Sequence, residues 1–101
     1  MSFVEVAIKV PLPRTFDYKL DDEQSVSVGS RVEVSFANRR LVAMVVALKS
    51  DSQVPENKIK PITHIIDNEP VLSAQHIAFL RFTAQYYCHP LGETLFTALP
   101  G

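Results

Sequence analysis

The stretch RVEVSFANRRLVAMVVAL, residues 31–48, decides the fold. Val32, Val34 and Phe36 alternate with Arg31, Glu33 and Ser35, the period of two that marks a strand with one buried face. Ala37-Asn38-Arg39-Arg40 then reads as a tight polar turn, because asparagine tolerates positive φ. Leu41–Leu48 follows without a single polar residue, and a strand of that composition is covered on both faces.

On the amino-terminal side, Val4, Val6, Ile8 and Val10 alternate with Glu5, Ala7 and Lys9, which predicts another strand. Pro11-Leu12-Pro13 ends it, since proline donates no ladder hydrogen bond. Phe16, Tyr18 and Leu20 alternate with Asp17 and Lys19 in a second strand, and the acidic Asp21–Glu23 forms an exposed connection. Val26 and Val28 lead into Gly29-Ser30, a turn signal. On the carboxyl side, Ser50–Asn57 is a polar loop, and Ile59–Ile66 reads as a last strand with Pro61 pushing its start to an edge.

After residue 70 the periodicity changes. Ser73 is a good N-cap, and Leu72 can staple against Ile77. Ile77, Leu80, Ala84 and Tyr87 form one apolar stripe and Phe79, Phe82 and Tyr86 another, leaving Gln75, Arg81 and Gln85 as a narrow polar strip. A helix so apolar is expected to be buried, against a neighbouring domain if this one has too little to cover it. Pro90 and Gly92 end the helix, and Leu95–Leu99 is a short apolar segment. Five or six strands followed by one helix imply an α+β domain. A small, partly closed β-barrel-like sheet is the expectation, with a two-layer sheet giving the same periodicity.

The chain has 101 residues, the length of one domain, with 47% hydrophobic and 21% charged residues, which excludes disorder. One cysteine excludes an internal disulfide framework and fits a reducing compartment. The longest apolar run, Leu41–Leu48, is far too short to span a membrane, and Glu5, Lys9, Pro11 and Pro13 rule out a signal peptide at the start. The net charge of −1 excludes a polybasic coat. It conceals a basic middle: residues 31–60 carry six Lys and Arg against three Asp and Glu, so an anionic ligand is best sought there, unless the excess is ordinary solvated charge.

Little here suits a free-standing enzyme. Cys88 and His89 are sequence neighbours, which point apart on any regular element, so Cys88 reads as a small buried hydrophobe rather than a nucleophile. His64, His76 and His89 lack the spacing of a zinc site, and glycines 29, 92 and 101 make no phosphate loop. Asp21-Asp22-Glu23 is a solvated turn rather than an acid–base pair. The informative set is Phe16, Asp17 and Tyr18 with the Arg39-Arg40 turn and Lys60. Aromatics beside cations bind single-stranded nucleic acid, the ring stacking on a base while Lys or Arg meets phosphate. The same alternation also suits a core face with Asp17 merely pointing outward.

The run Val10-Pro11-Leu12-Pro13-Arg14-Thr15-Phe16-Asp17-Tyr18 resembles the start of the bacterial replication-restart helicase family PriA, or primosomal protein N′. Gly29-Ser30-Arg31-Val32-Glu33-Val34-Ser35-Phe36 is similar to that family's G-x-R-V-x-V-P-F. Lys60-Pro61-Ile62 with Ile65-Ile66-Asp67-Asn68-Glu69-Pro70, and Tyr86-Tyr87-Cys88-His89-Pro90-Leu91-Gly92-Glu93 with Ala98-Leu99-Pro100, resemble two further blocks in the same order. The resemblance covers the whole chain. It implies that residues 1–101 are the single amino-terminal domain of a longer ATP-dependent 3′–5′ helicase of the bacterial cytoplasm and nucleoid. It further implies that this domain recognises the 3′-hydroxyl end of the nascent leading strand at stalled or abandoned forks and orients the helicase for replication restart.

By the same resemblance, the 3′-end pocket maps onto Phe16, Asp17, Tyr18, Ala37, Asn38 and Lys60, with phosphate contacts from Arg14, Arg39 and Arg40. The partners implied are DNA with 3′ ends or forks, the other domains of the helicase and primosome proteins, and no membrane. ATP, magnesium and zinc are expected only in the rest of the parent chain, and no cofactor here. Where the family has P-F-G this chain has Ser35-Phe36-Ala37, and where it has G-x-V-V this chain has Ala43-Met44-Val45-Val46. A methyl at Ala37 is expected to narrow the pocket or shift the turn. In such a pocket Asp17 accepts a hydrogen bond from a free 3′-hydroxyl and repels a 3′-phosphate, while Lys60 meets the base edge or the penultimate phosphate. The alternatives are a generic oligonucleotide-binding barrel and a non-catalytic interdomain docking module.

Overall fold

The computed structural model describes residues 2–11, 14–21, 24–55, 57–87 and 89–99. The readings of Leu12-Pro13, Asp22-Glu23, Cys88 and Pro100 lie outside the described residues. The hairpin expected from residues 31–48 is the centre of the sheet: β3 (Arg31–Phe36) pairs antiparallel with β4 (Arg39–Lys49), with Phe36 opposite Arg39. Only Ala37 and Asn38 connect them, at φ 52° and 63°. Two consecutive left-handed residues match the right-handed twist of the flanking strands, as in type I′ turns. The turn therefore keeps the shape a glycine would give it, and Ala37 carries the steric cost of a methyl group there.

β1 (Ser2–Ile8) pairs with the other side of β4, and β2 (Phe16–Leu20) with β1. The short β5 (His64–Ile65) pairs with β3, giving the order β2-β1-β4-β3-β5, antiparallel throughout. The apolar run in β4 packs on both faces over Ala43–Val46, as expected, whereas Val42 and Leu48 near its ends are exposed. Ala43 and Val45 join Val4, Val6, Ile8, Tyr18, Val32 and Val34 on one face, capped by Val26 and Ile62. Met44 and Val46 join Ala7 on the other, under Leu72, Ile77, Ala84, Leu91 and Leu95.

Those last five belong to or flank two helices, α1 (Ala74–Tyr86) and α2 (Leu91–Thr97). Ser73 caps α1, its hydroxyl accepting from the His76 N–H at 3.0 Å, and Leu72 and Ile77 share the cluster beneath it. α2 sits against β1 so closely that a Cβ on Gly92 would lie 1.8 Å from the Ile8 carbonyl oxygen. Gly29, at φ 99°, similarly lets the Leu72 carbonyl approach.

Four expectations need correction. The sheet is open rather than barrel-like: β2 and β5 are its two edges. They are drawn together only where Lys19 donates to the Lys60 carbonyl (2.8 Å) and accepts from the Ile62 N–H (3.1 Å). The strand expected over 59–66 shrinks to His64–Ile65, because residues 60–62 cross to β2 before the chain reaches β3. The segment after Pro90 is a second helix, with Pro90 as its N-cap, and not a terminus followed by a loose apolar piece. Finally, α1 buries only Ile77 and Ala84, while Phe79, Phe82, Tyr86 and Tyr87 stay 63–70% exposed. Ile77, Leu80 and Ala84 of the first stripe face the sheet while Tyr87 does not, and nothing among the described residues covers Phe79, Phe82 and Tyr86.

Candidate nucleic-acid interface

A depression of about 460 Å³ opens where β2 nears the β3–β4 turn and the 49–60 segment. Its floor is aromatic. Phe16 is partly buried, edge-on to Phe36 with centroids 4.9 Å apart, and the Arg14 guanidinium lies 4.6 Å above its ring. Tyr18, two residues on and on the same strand face, is buried, and its hydroxyl donates to the Ser35 carbonyl at 2.8 Å. Burial lifts the Tyr18 phenol above its ordinary pKa, so it stays protonated and keeps that bond. Tyr18 is thus a core residue that shapes the depression, whereas Phe16 keeps part of its ring accessible.

Asp17 points to the opposite strand face, directly across from Glu5 of β1. Two carboxylates facing each other across a strand pair repel, and the structure resolves this with cations. Lys49 Nζ lies 3.2 Å from Asp17 Oδ1 and 3.7 Å from Glu5 Oε1. The Ser52 hydroxyl donates to Asp17 Oδ2 at 2.6 Å. Glu5, buried to 8% exposure, accepts from the Thr15 hydroxyl and from Arg81 Nη2 of α1, both at 2.6 Å. Burial alone would raise the Glu5 pKa. The Thr15 and Arg81 hydrogen bonds, with the charges of Arg81 and Lys49, outweigh it and hold the carboxyl below its ordinary value. The hydrogen bond to Asp17 raises Lys49 in turn, with the Asp17 and Glu5 charges adding to it.

Lys49 reaches this face because of a bulge. Val6 pairs with Val45 but Glu5 with Ala47, so the register slips by one residue between them. Odd-numbered residues Ala43 and Val45 face the first core, yet beyond the slip Ala47 and Lys49 share the face of Glu5 and Asp17. A bulge re-aims side chains in this way.

Of the residues singled out from sequence, Arg14, Phe16, Asp17, Tyr18, Ala37 and Lys60 line this one depression. Lys60 is brought there by its backbone bond to Lys19. Asn38, Arg39 and Arg40 are exposed on the hairpin but do not line it. Glu5, Thr15, Lys49, Ser52 and Lys58 were not singled out. Glu5, the lone acid within an apolar strand, was the one available signal. Two of the family-like sequence blocks also meet: Arg31 donates from Nε (2.7 Å), Nη2 (3.1 Å) and its backbone N–H (3.1 Å) to the Asp67 carboxylate. These bonds lead the causes that lower the Asp67 pKa, and they fasten the chain beyond β5 to β3. Among the described residues no three His, Cys, Asp or Glu side chains gather around a possible cation, and no helix is long and apolar enough to cross a membrane.

Residues 5–100 match the family described as the 3'DNA-binding domain (3'BD) of PriA. The replication restart protein PriA of Haemophilus influenzae is 42% identical over 100 residues, 99% of this chain and 14% of that protein. The Bacillus subtilis protein of the same name is 32% identical over 74% of this chain, and that of Chlamydia pneumoniae 29% over 97%. The chain thus spans about a seventh of the length of such relatives.

Proposed function

Because the chain belongs to the PriA 3'DNA-binding domain family, we propose that it grips the 3′-hydroxyl end of a DNA strand in the depression beside β2. The observation that carries this reading is the pairing of a clamped carboxylate, Asp17, with the accessible Phe16 ring under a rim of Arg14, Lys58 and Lys60. An ionised carboxylate offers about four lone-pair sites. Ser52 and Lys49 use some of them, leaving room for one more donor, and a terminal hydroxyl is such a donor. A base stacked on Phe16, in the place the Arg14 guanidinium now takes over the ring, adds ~1–3 kcal/mol irrespective of its identity. The rim cations meet phosphates upstream. A continuing chain replaces the hydroxyl hydrogen with phosphorus, which removes the donor and sets an anion against Asp17.

Within the longer protein this grip orients an ATP-dependent helicase at an abandoned fork, with ATP, magnesium and zinc bound elsewhere in the chain. Weak end-binding by one domain becomes firm fork-binding when linked sites act together. Anisotropy titration of 5′-labelled oligonucleotides ending in 3′-hydroxyl or 3′-phosphate tests the reading. The hydroxyl end should bind about tenfold tighter, the value of one charge-assisted hydrogen bond. Equal affinities would sink it. The exposed Phe79, Phe82 and Tyr86 of α1 support a second role as a docking surface for the remainder of the longer protein. Phe82→Ala should then lower the melting temperature of the full-length protein and leave that of this domain unchanged. The same shift in both would leave α1 without a docking role.

A further inference from the structure

Two hollows flank the proposed end-binding depression, and their chemistry differs. One, on the Ser52 side, is lined by Asp17 and Asp51 with Lys49 already shared between two carboxylates. The other, of about 500 Å³, runs between Arg14-Thr15 and α1. Its floor is apolar, formed by Ala84 and Leu91, and its rim carries Arg14, Arg81, Gln85 and His89. No carboxylate lines it among the described residues. A DNA strand that leaves the depression along the protein surface past Asp17-Lys49 or past Arg14-Thr15 meets one of these two hollows. An anionic backbone is repelled by the first and attracted by the second.

We infer that the groove between Arg14-Thr15 and α1 is a second nucleotide subsite, holding the phosphate and sugar immediately 5′ of the terminal residue. The inference deepens the end-binding reading and rests on it. Arg14 and Thr15 line both cavities, so a strand passes from one to the other without leaving protein surface. A guanidinium carries five N–H donors, and Glu5 takes only the Nη2 group of Arg81. The Arg81 side chain is 43% exposed, so its remaining donors are open to a phosphate. Gln85 adds an amide on the same helix face, one turn further along. The apolar floor suits a deoxyribose. The arrangement also joins recognition to folding, because the residue that holds Glu5 in place is the one that meets the incoming backbone.

The test uses oligothymidylate with a free 3′-hydroxyl, either all-phosphodiester or with an uncharged methylphosphonate at the 3′-most linkage. Wild type should lose about three- to tenfold in affinity on that one neutralisation, as expected for a charge-assisted contact that is partly solvated. Gln85→Glu puts an anion on the groove rim at an exposed position. It should weaken the all-phosphodiester strand by a similar factor and abolish the methylphosphonate penalty, with an unchanged melting temperature. Ser50→Glu, on the opposite hollow, should leave the penalty intact. If Gln85→Glu retains the full penalty while 3′-hydroxyl ends are still preferred to 3′-phosphate ends, the subsite is wrong and the end reading stands. If wild type shows no end preference, both fall. If Ser50→Glu, and not Gln85→Glu, removes the penalty, the strand leaves by the other side and the assignment is overturned.

Discussion

Adjacent residues of β2 sit in opposite kinds of surroundings. Phe16 faces a core built by the chain's own strands and loops, rests against one ring, Phe36, and is roofed by the long side chain of Arg14. Asp17 faces the helix side and is fixed by Ser52 and Lys49, with Lys49 reaching on to Glu5, which Arg81 and Thr15 hold from behind. The aromatic half of the candidate site is thus held by packing, and the charged half by several directional bonds. On the proposed function, stacking serves any base because every base has a π face, whereas a hydrogen bond to one hydroxyl needs its acceptor in place beforehand.

The comparison breaks most plainly at Phe16. Phe16→Ala should cost about 2 kcal/mol of binding, roughly thirtyfold, by loss of stacking. Because the ring is only partly buried, stability should fall by less than the ~3–5 kcal/mol of a core Phe→Ala. Titration and thermal melting of the same sample separate the two, and a variant that fails to fold would make Phe16 a core residue.

The clamped half is probed through Arg81. Arg81→Ala leaves Glu5 with Thr15 and Lys49 only and should cost about 1–2 kcal/mol, after allowance for the exposure of the arginine. The sign with pH follows from Glu5. A carboxyl held below its ordinary value of 4.5 stabilises the fold fully above that value and loses this contribution as pH falls through its lowered folded value. The gap between wild type and variant, measured by denaturant melts, should therefore narrow below pH ~4.5. A gap that stays constant with pH would uncouple Arg81 from Glu5.

Asp17→Asn is expected to act next. Asparagine can still accept from Ser52 but loses the charge that holds Lys49, and a neutral acceptor bonds a hydroxyl about half as strongly. Affinity for 3′-hydroxyl ends should drop by about 1 kcal/mol, and preference over 3′-phosphate should vanish as Lys49 is freed. Tighter binding of hydroxyl ends by the variant would remove Asp17 from recognition. The smallest effect belongs to Ala37→Gly, which relieves a methyl at φ 52° and should stabilise the fold by about 0.5–1 kcal/mol. A loss of stability would mean that the turn is not strained.

The hairpin, the two-faced β4 and the Ser73 cap were legible because each is written in local pattern: a period of two, an unbroken apolar run, a capping hydroxyl before an apolar stripe. The open sheet was not. Closure depends on where residues 60–62 cross, and periodicity does not record which edge a strand joins. Helix α2 was hidden by Pro90, which reads as an ending although proline also suits a helix start. The run Phe16-Asp17-Tyr18 marked the strand that lines the depression, and its alternation fitted a core face equally, where Tyr18 proves to lie. Lys49 could not, because the bulge that turns it toward Asp17 lies within a stretch apolar at odd and even positions alike, where a slip of one residue leaves no trace. Ser52 and Arg81 come from segments 35 and 76 residues away from their partners Asp17 and Glu5, and only the fold joins them.

The seam between β2 and the Lys60–Ile62 segment has a kinetic consequence. Among the described residues Lys19 alone makes its two backbone hydrogen bonds, so the sheet is latched at one rung instead of being zipped along its length. The depression beside this latch, lined by Phe16, Asp17 and Lys60, is a slot open to solvent. On the proposed function, a strand terminus enters that slot laterally with its whole upstream length still attached to the fork. Capture is then governed by local collision of the last nucleotide, and release by its unstacking, neither of which depends on how much DNA lies behind it.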